Sequence, residues 1–313
     1  AKVVAQRKGT FHDHHSMENL QTISSDGMLH DACCNLGESF VSNPSVDVNY
    51  SDATTGAKQI RLLGLSGTYV QMLTENIPNF RFAAAPYGLG YIPGPWMQSI
   101  QVAKGVTSVK QGYEAMTGQI NVEYKKPHRH EPDYLFVNAY ADHDNKLEAN
   151  ADGTFYVGEK WSTTLFGHYE NMTKSHDDNH DGFCDLPKVE QYDLMNRWTY
   201  QDKAYTFMGG VKMLGEDRKS GQTDVANNPY RINIATHRYE AFTKNAIELN
   251  EAHETSVALI LSGSWHHQDA EYGKRLYDVK ELNGYGQLLF ETLFTKEHAL
   301  SVGGGINHDG FRR

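Results

Sequence analysis

The sequence predicts a mostly β protein in which a small mixed α+β domain precedes a series of long antiparallel strands. Two observations carry that expectation. The composition changes near residue 127, from short mixed segments rich in glycine to long segments that alternate in polarity. After residue 132, nine such segments follow one another, separated by polar turns rich in Asp, Asn and Gly.

In the first region, Leu29 to Phe40 has apolar residues at helical spacing and stops before Asn43-Pro44. Gln59 to Leu63 and Val70 to Leu73 read as short strands around the turn Gly64-Leu65-Ser66-Gly67. Pro93 to Gln98 begins a short helix, Ser99 to Val102 forms a strand, and Gln119 to Tyr124 forms another before the break at Lys125-Lys126-Pro127. In the second region the strands run over Tyr134–Ala141, Lys146–Val157, Trp161–Tyr169, Gln191–Tyr200, Tyr205–Leu214, Tyr239–Leu249, Thr255–His266, Leu282–Phe294 and His298–Ile306. Their length, about nine to twelve residues, suits strands that cross a bilayer, although a soluble barrel or sandwich has the same periodicity. Nine is an odd number, whereas a closed single-chain outer-membrane barrel uses an even one, so further strands are expected beyond residue 313.

Composition narrows the function. The 313 residues carry 39 acidic and 29 basic side chains, a formal net charge of -10, which argues against a nucleic-acid partner and suits a cation, a metal complex or a neutral ligand. No run of about 18 apolar residues is present to make a membrane helix, which says nothing against a β-barrel. The start shows no signal-peptide pattern. Three cysteines, Cys33, Cys34 and Cys184, are too few for a disulfide framework; buried thiols, a pairing with Cys184 and a metal role all stay open. No nucleophile triad, phosphate-cradling loop or His-Glu-x-x-His helix appears, so no enzyme is expected.

Several blocks of the first region, in a fixed order, carry a family resemblance. They are Ala1-Lys-Val-Val-Ala-Gln-Arg7, Leu29 to Asn43 with Pro44-Ser-Val-Asp-Val48, and Ile60 to Leu73. Pro95 to Gly105, Ser108 to Gly112 and Ala115 to Val122 complete the set. Together they resemble the plug domain of TonB-dependent outer-membrane receptors over roughly residues 1–126. Two turns depart from the family pattern: Glu75-Asn76 stands where Asp-Gly is usual, and Gly105-Val106 where Gly-Pro is usual.

The resemblance implies three parts: a TonB-box-like terminal segment over 1–10, a plug over 11–127, and the N-terminal part of a transmembrane β-barrel over 128–313. It implies a receptor in the outer membrane of a Gram-negative bacterium, importing a scarce metal chelate such as a siderophore, haem, cobalamin or a copper complex. Its expected partners are TonB with the inner-membrane energising complex, outer-membrane lipid and a surface lipoprotein. Val3 and Val4 would join TonB as an added strand. Arg61, Lys104 and Glu123 would pair with charges on the barrel wall.

Substrate would be met by apical loops. The candidates are Tyr50 and Asp52 in one, and Phe80, Arg81, Phe82 and Tyr87 in the other. The aromatic rings offer flat contact and Arg81 a charge for an anionic ligand.

A further loop, His176 to Asp185, places Asp177, Asn179, Asp181, Gly182 and Asp185 in the order of a calcium loop, with oxygen donors at alternate positions and a glycine at the bend. The acid that closes an EF-hand is replaced by Lys188, so calcium is expected without an EF-hand. Sixteen histidines, His12, His14, His15, His128, His130, His266 and His267 among them, hint at transition-metal handling. The alternatives are a secreted calcium-binding β adhesin, which predicts a polar strand exterior, and a metallo-hydrolase, which predicts convergent ligands in one pocket.

Overall fold

A computed structural model describes residues 10–13, 19–25, 28, 34–40, 43–107, 109–127, 134–223, 225, 227–295 and 298–312. The chain divides into two compact units, Ala1–Lys126 and Pro127–Arg313, at the break expected from composition.

The first unit holds two sheets. Its larger sheet has the order β1 (Thr10–Asp13), β2 (Asn19–Ser24), β8 (Met97–Lys104), β9 (Gly118–Tyr124), β6 (Val70–Thr74), β7 (Ile77–Pro78). The other is β3 (Val46–Asp52), β4 (Ala57–Leu62) and β5 (Leu65–Ser66). Strands β6 and β9 pair in parallel, Val70 opposite Gly118 through Thr74 opposite Val122; the other strand pairs are antiparallel. The core is closed by Ile23, Leu36, Leu62, Leu73, Trp96, Ile100 and Ile120, all nearly inaccessible. Gly118 is demanded by this packing, because a Cβ there would stand 2.3 Å from both the Ala103 carbonyl oxygen and Leu62.

Two helical expectations change. Cys34 is irregular and Leu36–Phe40 winds as a 3-10 turn, its start tied by the Glu38 carboxylate, which accepts from the Cys34 amide at 3.0 Å and from Asn35 Nδ2 at 2.9 Å; Leu29–Cys33 lie outside the described residues. Only Gly94–Trp96 is helical in the second stretch, and Met97 already begins β8.

The second unit is one meander of nine antiparallel strands, with β10 and β18 as its two edges. They are β10 (Tyr134–Ala141), β11 (Lys146–Val157), β12 (Trp161–Met172), β13 (Lys188–Gln201), β14 (Tyr205–Gly221), β15 (Arg231–Asn250), β16 (Thr255–Tyr272), β17 (Arg275–Thr295) and β18 (His298–Arg312). All nine expected strands are present, but most are longer than read from sequence. Residues 267–281 are not a loop: β16 and β17 run through them to a tight turn at Gly273-Lys274. The polar residues there form strand that runs on past the apolar band, polar on both faces.

That sheet inverts the polarity of a soluble protein. On β11, Glu148, Asn150, Asp152 and Thr154 are buried, while Leu147, Phe155 and Val157 are exposed. On β13, Gln191, Asp193 and Arg197 are buried, with Tyr192, Leu194 and Trp198 exposed. The registers keep each set together, placing Asn150 opposite His168, His168 opposite Asp193 and Gln191 opposite Glu216. Charges on the buried face are paired: Lys212 with Asp193 at 3.4 Å, Arg218 with Glu216 through two hydrogen bonds of 2.7 and 2.6 Å, and Arg238 with Glu240. A polar exterior, as a soluble adhesin requires, is not what the exposed face shows.

Two bands of aromatic rings bound the apolar face. Trp161 lies 6.2 Å from Trp198, 4.8 Å from Tyr200 and 6.0 Å from Phe207, near the short turns 158–160 and 202–204. Toward the other end, where the loops 173–187 and 222–230 emerge, Tyr239 stacks 5.6 Å from Trp265 and Tyr192 covers Gly215. An apolar band between aromatic girdles, with short turns at one end and longer loops at the other, is the pattern of an outer-membrane barrel wall, whose long loops face outward. Asn196, within the band, is satisfied locally: Trp198 Nε1 donates to its Oδ1 at 2.7 Å and its Nδ2 donates to Thr163 Oγ1 at 2.9 Å.

Two outcomes follow from this wall. Val211→Arg, in mid-band, should destabilise the bilayer-inserted protein by roughly 2–4 kcal/mol, and Leu147→Arg, beside the turn 142–145, by about 1 kcal/mol or less, in denaturant titrations from lipid vesicles. At the short-turn end, Lys160 Nζ meets Asp202 Oδ2 at 2.6 Å, and that hydrogen bond holds the Asp202 carboxyl below the usual carboxylate range. Because the folded-state value is depressed, the contact contributes above about pH 4 and is lost as pH falls through that lower value. Protection factors for the amides of residues 158–160 and 202–204, taken relative to the intrinsic exchange rate at each pH, should therefore fall on acidification, and Asp202→Asn should show the lowered protection already at neutral pH.

Candidate functional site

The two loops singled out from sequence converge in the first unit. The Lys58 amide donates to the Pro86 carbonyl at 2.9 Å, joining the start of β4 to the 79–87 segment, and Lys58 Nζ sits 5.5 Å above the Tyr50 ring. Beside them lies a polar pocket of about 360 Å3 lined by Glu38, Phe40, Asp47, Asn49, Tyr50 and Lys58 among others. Tyr50 is half exposed, on a strand whose outer residues are all accessible. Asp52 anchors the turn that follows, its carboxylate accepting from the Thr54 amide at 3.1 Å and from Thr55 Oγ1 at 2.8 Å.

The second loop requires corrections. Phe80 and Tyr87 are core residues, 5% and 6% exposed, and Phe80 packs 6.2 Å from Tyr91. Neither presents a ring to solvent. Arg81 is engaged as well: its Nε donates to Glu114 Oε1 at 3.1 Å, its Nη2 makes a second contact there, and its guanidinium lies 4.8 Å from the Phe82 ring. Phe82 is the exposed member, 51% accessible. Sequence reasoning missed Lys58, Glu38 and Asp47; the sole available signal was strand alternation opposite Tyr50, since Tyr50 and Lys58 are register partners.

The loop of β12–β13 folds onto the start of the next loop, with the Thr223 amide donating to the Gly182 carbonyl at 2.9 Å. Asn179, Asp181 and Asp185 come together: Asn179 Nδ2 donates to Asp181 Oδ2 at 3.2 Å and to Asp185 Oδ1 at 3.1 Å. Asp177 accepts from the Asp181 and Gly182 amides at 3.1 Å each and from Thr223 Oγ1 at 2.8 Å. The four expected calcium donors therefore share one turn, closed by Gly182 at φ 81°. Cys184 beside it is buried and unpaired to another cysteine, as is Cys34, which removes a Cys34–Cys184 disulfide.

No family model matches the sequence, and no curated protein sequence matches it. Solved structures do match. The siderophore receptor PiuA from Acinetobacter baumannii aligns over 94% of this chain and 46% of its own, at 14% identity and a TM-score of 0.72. The alcaligin outer-membrane receptor FauA from Bordetella pertussis aligns over 95% and 48%, at 12% identity and 0.73. The ferric-catecholate import receptor Fiu from Escherichia coli K12 aligns over 95% and 47%, at 14% identity and 0.75. This chain has the fold of a TonB-dependent outer-membrane receptor. It spans about half the length of the receptors it matches.

The alignments extend over both the first unit and the nine-stranded sheet of the second. Val3 and Val4 lie outside the described residues, as do His14, His15, His128 and His130. Of the charges expected to pair across to a barrel wall, Glu123 is held within the first unit. It accepts from Asn76 Nδ2 at 2.9 Å and Asn121 Nδ2 at 2.8 Å and pairs with Lys126, while Arg61 is exposed. His266 and His267 sit on opposite faces of β16, and His267 Nε2 meets Asp278 Oδ1 at 2.9 Å rather than another histidine.

The division between Phe80 and Phe82 is measurable. Phe80→Ala should cost about 3–5 kcal/mol in plug stability, while Phe82→Ala should stay within about 0.5 kcal/mol in denaturant unfolding.

Proposed function

We propose that this chain forms the plug and the first strands of an outer-membrane receptor that imports an iron–siderophore complex, driven by TonB. The observation that supports this best is the pairing of a plug with a polarity-inverted strand wall in one chain. Structures of siderophore receptors align with both parts over some 95% of its length. Nothing in the site favours haem, cobalamin or copper complexes over siderophores. Import of this kind needs binding and movement but no covalent chemistry.

In this reading Tyr50, Asp52, Phe82 and Lys58 greet the substrate. Siderophore complexes are frequently anionic and aromatic or hydroxamate-bearing, and an exposed ring beside an ammonium suits such a surface. Arg81 acts through its ion pair, setting the Phe82 ring. Val3 and Val4, two apolar residues, would join TonB in the periplasm by strand addition. Calcium in the Asp177, Asn179, Asp181, Asp185 turn would replace the hydrogen bonds that Asn179 Nδ2 donates to the Asp181 and Asp185 carboxylates with ion–oxygen contacts, stiffening an outward loop.

The test is uptake of radioactive iron carried by siderophores in cells expressing the full-length receptor. Recovery in the outer membrane, and uptake that disappears without TonB, are the expected results. Uptake that persists without TonB, or a protein recovered in the soluble fraction, would refute the reading. Val3→Pro with Val4→Pro should abolish uptake while leaving siderophore binding to intact cells unchanged. Tyr50→Ala with Lys58→Ala should weaken that binding by roughly tenfold, the equivalent of about 1.4 kcal/mol.

A further inference from the structure

The buried polar face of the barrel wall holds a group that neither the plug nor the outward loops explain. Glu148 and Asn150 alternate on β11, and His168 and Glu170 alternate on β12. The register sets Glu148 opposite Glu170 and Asn150 opposite His168, so all four side chains project from one face as two adjacent cross-strand pairs. One donor atom each from Glu148, His168 and Glu170 lies within 4.8 Å of the others.

The histidine is oriented from behind. Its Nδ1 lies 2.8 Å from Asn150 Oδ1, an acceptor, so Nδ1 carries the proton and Nε2 keeps its lone pair. Nε2 faces Glu170, 4.0 Å from Oε2. An outer hydrogen bond that fixes the tautomer and aims the free nitrogen is the arrangement found behind metal-bound histidines. Lys146 Nζ lies 3.7 Å from Glu148 and 3.6 Å from Glu170. At those separations it offsets part of the charge of the two carboxylates, and the set with neutral His168 keeps a formal charge of about -1, favourable for a divalent cation.

We propose that Glu148, His168 and Glu170 form a divalent transition-metal site of the zinc class on the barrel wall. The chemistry selects the ion. One imidazole nitrogen with two carboxylates suits zinc and its first-row neighbours, whereas calcium and magnesium take oxygen donors alone. Tetrahedral coordination with bonds of about 2.0–2.2 Å brings donors to about 3.4 Å of each other, so the widest pair closes by roughly 1.4 Å, within reach of glutamate rotamers. Water or a substrate donor completes the fourth position. The site stands on strands whose register is fixed by ten further paired positions between β11 and β12, from Lys146–Met172 to Val157–Trp161, so it is rigid in a way that a loop cluster is not.

The probe is Zn2+ itself, titrated against a chromophoric chelator into full-length receptor purified in detergent and stripped with EDTA, with Co2+ as the spectroscopic stand-in. The expected result is a site whose affinity falls at least 100-fold in His168→Ala and 10–100-fold in Asn150→Ala, with cobalt absorption showing one nitrogen and oxygen donors. Should His168→Ala fail to insert, as judged by heat-modifiable migration, Glu170→Gln serves as the second variant and should weaken zinc likewise. Zinc affinity unchanged in His168→Ala or Glu170→Gln would place the metal on other histidines and overturn the proposal, as would the absence of zinc binding by the unmodified protein. None of these readings depends on siderophore import.

Discussion

A strand inside a bilayer has no water to satisfy its N–H and C=O groups, so each must be met by a neighbouring strand. The second unit is organised by that requirement. Its ladders run through long registers, with β14 paired to β15 from Tyr205 to Gly221 and β16 to β17 from Ser256 to Tyr272, and the shifts of register fall at strand ends, at Glu248/Asn250 and Leu293/Thr295. Once the backbone is satisfied in this way, side chains alternate without choice between lipid and the other face. The lipid-facing set must be apolar, and Leu165, Leu194, Val211, Leu261 and Leu288 fill it. The opposite set is free to be polar, and it holds Glu148, Asp152, Asp193, Arg197, Lys212 and Glu216.

The buried polar face is then a problem of pairing. Carboxylates and ammonium groups out of water are costly unless matched. The matches here are short-range in sequence: Glu216 with Arg218 and Arg238 with Glu240 are two residues apart on one strand, and Lys212 reaches Asp193 on the adjacent one. A strand places i and i+2 on the same face, so opposite charges written two apart neutralise each other wherever the strand goes. The wall thus carries its own charge balance, and a cluster that includes a histidine held by an amide, such as Glu148, His168 and Glu170, stands out against that background of simple pairs.

Much of this was legible in the sequence, and the failures have physical causes. The boundary near residue 127 and all nine strands could be read because alternation of polarity is a direct consequence of strand geometry. Their lengths could not. Segments such as His267–Glu281 belong to the portion of β16 and β17 beyond the apolar band, where both faces carry polar residues, so hydropathy falls while the ladder continues. In the plug, Leu36–Phe40 has helical spacing but Glu38 turns back onto Cys34 and Asn35, a side-chain contact that periodicity does not encode. In the sequence Phe80 and Tyr87 resemble loop aromatics because they lie among alanines and a proline, yet the loop folds over so that Phe80 meets Tyr91 and the ring that remains outside is Phe82.

That last reversal bears on how a receptor loop can bind selectively. A loop that offered Phe80, Phe82 and Tyr87 together would be an apolar patch with no fixed shape. In the folded plug, two of those rings are spent on holding the segment in place, and Arg81 is fixed by Glu114 so that its guanidinium supports the third. The exposed surface is reduced to Phe82, and beside the Pro86 junction to Tyr50 under Lys58. On the proposed reading a ligand would meet fewer groups, each held by a packed neighbour, which lowers the entropy lost on binding. Selectivity in such a loop resides as much in the buried residues that orient the contact groups as in the contact groups themselves.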